Sequence, residues 1–386
     1  MHHRILMVSD FFFPNIGGVE THIYNLSDCL TQRGHKVVIL THSYGKRVGV
    51  QWLSNGLKVY YMPSKPFYAE VTLPTIFGAF SILRRVLVRE RITLVHAHQA
   101  FSTMALEAAL HARTMGLTVV FTDHSLFGFA GLSSFLTNSL LKFTLADIHQ
   151  VICVSRTAQQ NTVRRACLPP KKAVVIPNAV NADVFTPDPC SRTAGRITVV
   201  AMSRMTYRKG IDLLAAVIPE LCRRHAHLHF IIGGDGPKLQ LLRDTVDRHS
   251  LCDRVQLLGA VAHRDVRSVL VKGDIFLNTS LTEAFCVAII EAACAGLLVV
   301  STRVGGVPEV LPESMLMLAE PQAADLVVAV EQAMQRLPSV DPFWQHAQVR
   351  AMPAASLGSA PDLLPATASC TIETRHKQED VLGKEE

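Results

Sequence analysis

The chain contains no run of apolar residues long enough to cross a bilayer as a helix, which takes about 20 residues. The nearest candidate, Val71 to Leu83, is too short and is followed by Arg84 and Arg85. That segment fits either a core helix with a solvated basic end or a helix lying on a membrane surface. We therefore expect no transmembrane span in this chain, and the sequence leaves both interpretations of the segment open.

The chain also lacks a strong excess of charge and a paired-cysteine motif. A net charge of +6 over 386 residues is too small to indicate a nucleic-acid partner, although it suits anionic small molecules or an anionic membrane face. The nine cysteines are scattered without a C-x-x-C pair, which predicts reduced thiols in a cytosolic environment. The start, MHHRILMVSDFFF, has no small-residue cleavage site and predicts a buried first strand rather than a signal peptide.

Short β-branched runs alternate with longer stretches of helical period over most of the chain, which predicts βαβ units and parallel sheets. In the first half we predict strands at Arg4–Ser9, Lys36–Thr41, Lys58–Met62, Ile92–His96, Thr118–Thr122, Val151–Ser155 and Ala173–Pro177. In the second half we predict strands at Ile197–Ser203, His229–Ile232, Arg254–Leu258, Asp274–Asn278, Leu298–Ser301 and Met315–Leu318. Two Rossmann-like domains are the simplest description of this pattern.

A segment rich in Pro, Asn, Asp and Ser interrupts the alternation from about Asn178 to Arg196 and indicates a linker. We place an acceptor-side domain at residues 1–184, the linker at 185–196 and a donor-binding domain at 197–337. Residues 338–386 are rich in Pro, Ala and Ser, have no clear period and end in charged residues. We expect this tail to be disordered.

The loop SRMTYRKG follows a predicted strand and precedes a helix, which is where ligands bind in doubly wound sheets. Arg204 and Lys209 lie there and can stabilise the negative charge of a pyrophosphate leaving group without a metal. The alternative is a solvated basic loop, but the position at a strand end favours function. The next loop, IIGGDGP, carries Gly233, Gly234 and Asp235, and it fits a tight turn as well as a ligand site.

The segment TSLTEAFCVAIIEAACAG predicts a helix from Ala284 to Ala295, capped by Thr282 and ended by Gly296. Glu283 at its start and Glu291 eight residues later are separated by about 12 Å of helical rise.

We expect the free backbone amides near Phe285 and Cys286 to bind a phosphate by donating hydrogen bonds to its oxygens. Glu283 is then expected to reach the sugar hydroxyls and Glu291 the ribose. The alternative is an ordinary helix with two acids, but a mid-helix acid in an apolar run favours a polar ligand.

In the first half, Gly17 and Gly18 form a glycine turn before a helix, where we expect them to approach the donor phosphates. The turn lacks the G-x-G-x-x-G spacing, so a dinucleotide cofactor is disfavoured. His124 follows a predicted strand and could bind the transferred sugar, although a loop histidine without a role fits these residues equally well. His96 and His98 lack a third ligand, and we therefore predict no metal site.

The motifs GGVE, SR…RKG, GGDGP, E-x7-E and STRVGGVPE occur in the order found in the retaining glycosyltransferases of family 4. The chain resembles that family, and the resemblance implies an α/β GT-B fold, with two Rossmann-like domains facing each other across a cleft. The segments MVSDFFFPNIGGVETHIYNLS, KGIDLL, FTDHSLFGFA and NTSLTEAFCVAIIEA most closely resemble the members that act in GPI-anchor synthesis.

This resemblance implies transfer of GlcNAc from UDP-GlcNAc to phosphatidylinositol with retention and without a metal or other cofactor. By motif it assigns Arg204 and Lys209 to the diphosphate, Glu283 to the sugar and Glu291 to the ribose. It also places His124 beside the sugar.

The resemblance further implies a place at the cytoplasmic face of the endoplasmic reticulum membrane, within a multi-subunit complex. The family's C-terminal membrane span is not found after Leu337, and the final helix that usually returns to the first domain is not recognisable either. Two other functions stay open: a catalytically idle isoform that binds donor or partners, and a soluble family 4 enzyme with another acceptor.

Overall fold

The computed structural model describes residues 2–15, 17–68, 70–73, 78–127 and 132–352. These residues divide into two compact units between Asn178 and Ala179. The division falls before the boundary that we placed at residue 184, because the loop that follows packs with the second unit. An Arg350 guanidinium nitrogen lies 3.3 Å from Asp183 Oδ1, and Arg267 Nε donates to the Thr186 carbonyl at 2.9 Å.

The first unit is built on an eight-stranded sheet in the order β10-β9-β8-β7-β1-β2-β4-β3, parallel throughout except for the antiparallel pair β3–β4. Its strands are β1 Arg4–Val8, β2 Lys36–His42, β3 Gly49–Trp52, β4 Lys58–Met62, the two-stranded ribbon β5 Pro66–Tyr68 and β6 Val71–Thr72, β7 Leu94–His98, β8 Thr118–Asp123, β9 Gln150–Cys153 and β10 Ala173–Val175. Its helices are α1 Gly18–Gln32, α2 Gly78–Arg89, α3 Thr103–Thr114, α4 Leu132–Leu145 and α5 Arg156–Ala166.

The seven strands predicted for this unit are all present. The predicted strand Ile92–His96 begins two residues too early, because the Ile92 amide closes the turn after α2 by donating to the Leu87 carbonyl. β3 was not predicted, since an antiparallel edge strand with mostly exposed side chains has no buried run to reveal it. The segment from Val71 is not one helix: it begins in β6, and α2 starts only at Gly78.

The second unit is built on a six-stranded parallel sheet in the order β13-β12-β11-β14-β15-β16. Its strands are β11 Ile197–Met202, β12 Leu228–Gly233, β13 Val255–Gly259, β14 Ile275–Asn278, β15 Leu298–Thr302 and β16 Leu316–Ala319. Its helices are α6 Ile211–Arg224, α7 Leu239–Arg248, α8 Val266–Leu270, α9 Val287–Cys294, α10 Ala323–Arg336 and α11 Pro342–Ala351. All six predicted strands are found. The central strands β11, β14 and β15 are largely buried and stand out in the sequence as continuous apolar runs.

The start of the predicted disordered tail is ordered, since α11 lies within residues 338–352. The Asp341 carboxylate caps α11 by accepting from the Phe343 amide at 2.9 Å, and Val349 is buried. His346 Nδ1 lies 2.9 Å from the Cys294 carbonyl oxygen at the end of α9. Packing of α11 against α9 orders a segment whose composition gives no sign of this contact, while residues 353–386 lie outside the described part of the chain.

No helix among the described residues is both long and apolar enough to cross a membrane. Seven cysteines in the described ranges are free thiols, in line with the prediction of reduced thiols: Cys153, Cys167, Cys190, Cys222, Cys252, Cys286 and Cys294. Cys29 departs from that prediction because it is disulfide-bonded.

A buried carboxylate ties α2 to the sheet of the first unit. Glu90, directly after α2, is 4% exposed and accepts hydrogen bonds of 2.6 Å from Lys36 Nζ, Lys58 Nζ and the Tyr60 hydroxyl. Burial disfavours the Glu90 charge, but these three donors prevail and lower the pKa of Glu90 to about 2. The network therefore stabilises the ionised form, as a paired buried charge requires.

We expect Glu90→Gln to lower the free energy of unfolding of the first unit by about 2–3 kcal/mol, because it leaves two lysines without their shared anion. Urea unfolding in a Trp344→Phe background, followed by Trp52 fluorescence, measures this change. Asp147→Asn, which removes an exposed carboxylate 3.0 Å from Arg113, is the matched control and should change little.

The same carboxylate predicts a pH dependence. Because the pKa of Glu90 is about 2 in the folded protein and near 4.5 when unperturbed, its contribution is complete above pH 4.5 and is lost as the pH falls towards 2. The difference in stability between wild type and Glu90→Gln should therefore shrink on acidification across this range. A difference that stays constant from pH 6 to pH 3 would contradict the role given to this carboxylate.

Candidate active site

An ion pair joins two loops at the carboxyl edge of the second sheet. Lys209 follows β11 and Glu283 follows β14, and these strands are neighbours at the point where the strand order reverses direction. Lys209 Nζ lies 2.5 Å from Glu283 Oε1. This reversal point is where open α/β sheets bind their ligands, so the pair lies where ligand-binding residues are expected.

The loop after β11 is held against the loop after β14 at Gly210. Gly210 has φ +66°, and a Cβ atom there would lie 1.8 Å from the Thr279 carbonyl oxygen, so only glycine fits. The Thr279 hydroxyl donates to the Lys209 carbonyl at 3.0 Å, and the Leu281 amide donates to the Arg208 carbonyl at 2.9 Å. Lys209 is therefore fixed by its backbone as well as by its ammonium group.

Glu283 is oriented by a hydroxyl network that the sequence interpretation missed. The buried Ser280 hydroxyl lies 2.8 Å from Glu283 Oε1 and 2.9 Å from Asn278 Oδ1, and it can donate to either acceptor. The Thr302 hydroxyl donates to the Ser280 carbonyl at 2.5 Å. The sequence does contain a sign of this network, because the hydroxyl residues Thr279, Ser280 and Thr282 follow a predicted strand directly and precede Glu283.

Burial and charge set the protonation states at this site. Burial disfavours the Lys209 ammonium, but the charge of Glu283 prevails and raises the pKa of Lys209. Burial, with a contribution from Glu283, raises the pKa of Cys286 to about 12, so its thiol is neutral. Burial alone raises the pKa of Glu291 to about 7. The two glutamates therefore have different environments. Glu283 is ion-paired with Lys209, while the side chain of Glu291 is present in both its protonated and its ionised form near pH 7.

The helix predicted from Ala284 begins later than expected. Cys286 has φ +74° and precedes the first residue of α9, Val287, so the chain from Thr282 to Phe285 is a loop. Thr282 is therefore not the cap, and Glu283 precedes the helix instead of lying in it. Because Glu283 lies outside α9, the separation expected from helical rise between Glu283 and Glu291 does not apply. The free amides of the helix start lie at Val287 and beyond. Gly296 does follow the helix, with φ +85°, as predicted.

Arg204 lies in the loop after β11, and the glycine turn GGDGP packs against that loop. Arg204 is exposed and is a second cation near Lys209. Its positive charge opposes the rise in the pKa of Lys209. Gly234 has φ +136°, and a Cβ atom there would lie 1.8 Å from the Ser203 carbonyl oxygen. Asp235 is exposed and its carbonyl accepts from the Met205 amide at 2.8 Å.

A Cβ atom at Gly233 would lie 2.3 Å from Met202 Sδ. Close packing against the preceding loop therefore accounts for the GGDGP glycines without a ligand. Their predicted contact with the donor stays a prediction.

In the first unit, α1 begins at Gly18, and Gly17 precedes it in an extended conformation with φ −169°. The helix start therefore lies where the glycine turn predicts it, and its approach to the donor phosphates stays a prediction. His124 follows β8 and lies beside two other histidines, with its Nε2 3.3 Å from His98 Nδ1. His22 on α1 is the third member, with its ring centroid 4.8 Å from that of His124.

These three histidines overturn the reason given for expecting no metal. One potential ligand atom from each of His22, His98 and His124 lies within 4.8 Å of the others. His96 instead bonds through Nε2 to the Thr122 hydroxyl at 2.7 Å. The sequence interpretation considered only His96 and His98, which are close in the chain, whereas His22 comes from another element. The expectation of no metal stays a prediction.

The chain is similar to glycosyltransferases in both of its units. Residues 42–131 match the family described as PIGA (GPI anchor biosynthesis), and residues 196–336 match Glycosyl transferases group 1. Among solved structures, the chain is similar to a glycosyltransferase from Rickettsia africae, with a TM-score of 0.70 and 20% identity over 90% of this chain and 93% of that one. It is also similar to Anabaena HepE in complex with UDP, with a TM-score of 0.72 and 17% identity over 90% and 94% of the two chains. The fold is therefore GT-B.

Similarity to curated sequences is much higher. The chain is 57% identical over 347 residues to a phosphatidylinositol N-acetylglucosaminyltransferase subunit of Arabidopsis thaliana, covering 90% of this chain and 78% of that protein. It is 58% identical over 337 residues to the protein of the same name from Homo sapiens, covering 87% and 69%. At this identity and coverage, the chain belongs to the same family of phosphatidylinositol N-acetylglucosaminyltransferase subunits, which are glycosyltransferases.

Proposed function

We propose that this protein transfers GlcNAc from UDP-GlcNAc to phosphatidylinositol with retention, in the first step of GPI-anchor synthesis. The proposal is supported by the names of relatives that share more than half of their aligned residues with this chain. We further propose that it acts within a membrane complex of several proteins at the cytoplasmic face of the endoplasmic reticulum. The relatives' names, which describe each of them as one subunit of the transferase, support the complex.

The observation that carries the proposal is the ion pair between Lys209 and Glu283. It places a cation and a carboxylate 2.5 Å apart at the sheet edge where ligands bind. A sugar diphosphate needs both: the ammonium and Arg204 stabilise the charge that develops on the leaving diphosphate, while the carboxylate accepts hydrogen bonds from sugar hydroxyls. With two cations supplied by side chains, the proposed transfer does not use a metal ion.

Glu291 is proposed to bind the ribose. Among the described residues, no hydrogen bond to its carboxylate offsets the burial, as its raised pKa reflects. Two ribose hydroxyls donate hydrogen bonds, which favours the ionised form when the nucleotide is bound. The free amides at the start of α9 are proposed to contribute to binding of the diphosphate, because a helix N-terminus favours an anion.

We expect Lys209→Ala and Glu283→Ala each to lower turnover by about a hundredfold or more, because each removes charge placed for the transition state. Initial rates with labelled UDP-GlcNAc, in membranes that contain the assembled complex, measure the loss. Lys272→Ala removes an exposed lysine in the turn before β14 and should leave the rate unchanged. Wild-type turnover in either site variant would count against the assigned roles.

Donor binding should depend on pH through Glu291. If only the carboxylate binds the ribose and its pKa is about 7, UDP should bind about tenfold more weakly at pH 6 than at pH 8. Isothermal titration calorimetry of wild type against Glu291→Gln isolates this effect, because ionisation of the ligand's own phosphate is common to both proteins. A UDP analogue without ribose hydroxyls should show equal pH dependence in the two proteins.

The proposed acceptor is tested by expressing this chain in cells that lack their own homologue of it. Membranes from these cells should transfer labelled GlcNAc to phosphatidylinositol, and surface GPI-anchored proteins should return. The Lys209→Ala chain, expressed at the same level, is the matched control. Assembly with the other proteins of the complex without any transfer would refute the proposed activity for this chain.

A further inference from the structure

Three histidines from three separate elements converge in the first unit. His22 lies on α1, His98 ends β7, and His124 follows β8. The ring centroids of His22 and His124 are 4.8 Å apart, and those of His98 and His124 are 5.6 Å apart. Among the described residues this is the one group of three or more histidine, cysteine, aspartate or glutamate side chains whose geometry could hold a metal ion.

The distances suit a tetrahedral transition-metal ion. A zinc ion bound to imidazole nitrogens at about 2.0–2.1 Å holds neighbouring ligand nitrogens about 3.3–3.4 Å apart. His98 Nδ1 and His124 Nε2 are 3.3 Å apart, which already matches one edge of such a tetrahedron. The three ligand nitrogens all lie within 4.8 Å of one another, so a small rotation of the side chains brings all three within reach of one ion.

The imidazoles are also in the form that binds metals. Burial lowers the pKa of His22 to about 4 and lowers the pKa values of His98 and His124 well below their usual range, so the three rings are neutral. His98 is fully buried, and its Nε2 has no hydrogen-bond partner in the part of the chain that the structure describes. The nitrogen of His98 that faces His124 is Nδ1, so this unpartnered Nε2 is not the ligand atom that the 3.3 Å distance describes.

We propose that His22, His98 and His124 form a binding site for one transition-metal ion, of which zinc is the best fit. Three neutral imidazoles favour Zn²⁺ over Mg²⁺ or Ca²⁺, which prefer oxygen ligands. Three protein ligands leave the fourth tetrahedral position for water. The ion joins α1 to the ends of β7 and β8 and therefore stabilises the first unit. The proposed donor chemistry needs no metal, although this site shares His124 with the sugar contact that the family resemblance implies.

Zinc binding to the purified, metal-stripped full chain tests the proposal without any measurement of transfer. We expect a stoichiometry of one ion per chain by calorimetry, and Co²⁺ should give the intense visible bands of tetrahedral coordination. Zinc should also raise the thermal unfolding midpoint of the wild-type chain. His98→Gln and His22→Gln should each weaken zinc binding by more than about tenfold and abolish the shift in midpoint.

Two control variants separate this site from other histidines. His96→Gln removes a buried histidine that stacks on His98 at a centroid distance of 4.1 Å, yet it should retain zinc. A His2→Gln/His3→Gln variant tests for weak binding at the exposed chain start and should also retain it. His22 is only half-buried, so His22→Gln keeps the test valid if His98→Gln does not fold.

Equal zinc affinity in wild type and His22→Gln would overturn the proposal, as would loss of zinc in the His2/His3 variant alone. Neither outcome bears on the proposed transferase activity. Conversely, a chain that binds zinc through these histidines but transfers no sugar would refute only the proposed function.

Discussion

The contact between the loops after β11 and β14 is the constraint on which the candidate active site depends. Gly210 packs its α-carbon against the Thr279 carbonyl, with no room for a side chain. This close approach brings Lys209 within 2.5 Å of Glu283, and each charge then stabilises the other in a half-buried position. Neither group could stay ionised there alone without a large desolvation cost. The ion pair therefore keeps both charges available for a ligand.

Burial raises the pKa of both Glu90 and Glu291, and the donors around each carboxylate decide the net shift. Glu90 is buried with three donors, so its pKa falls to about 2 and it serves the stability of the first unit. Glu291 is buried without comparable donors among the described residues, so its pKa rises to about 7. A carboxylate left in this state is costly for the free protein, and the cost is recovered when a ligand supplies hydroxyl donors. This contrast distinguishes a structural acid from one suited to binding.

Much of the fold was predictable, because parallel strands buried on both faces appear as continuous apolar runs. β1, β4 and β11 lie within one residue of their predicted bounds. The exposed edge strand β3 and the helix α11 were missed, since neither has a buried run of its own. The start of α9 was misplaced because Thr282 suggested a cap, whereas Cys286 in a left-handed conformation sets the true boundary.

The sequence by itself determined the α/β class, the order of the strands along the chain and the identity of the charged residues at strand ends, since periodicity and motif are local properties of the chain. It also carried the motifs of the family to which the protein belongs. Only the tertiary structure decided which residues meet. It paired Lys209 with Glu283 across 74 residues, placed Ser280 against that pair, and brought His22 to His98 and His124. Such meetings depend on sheet order and loop packing, which no local pattern encodes.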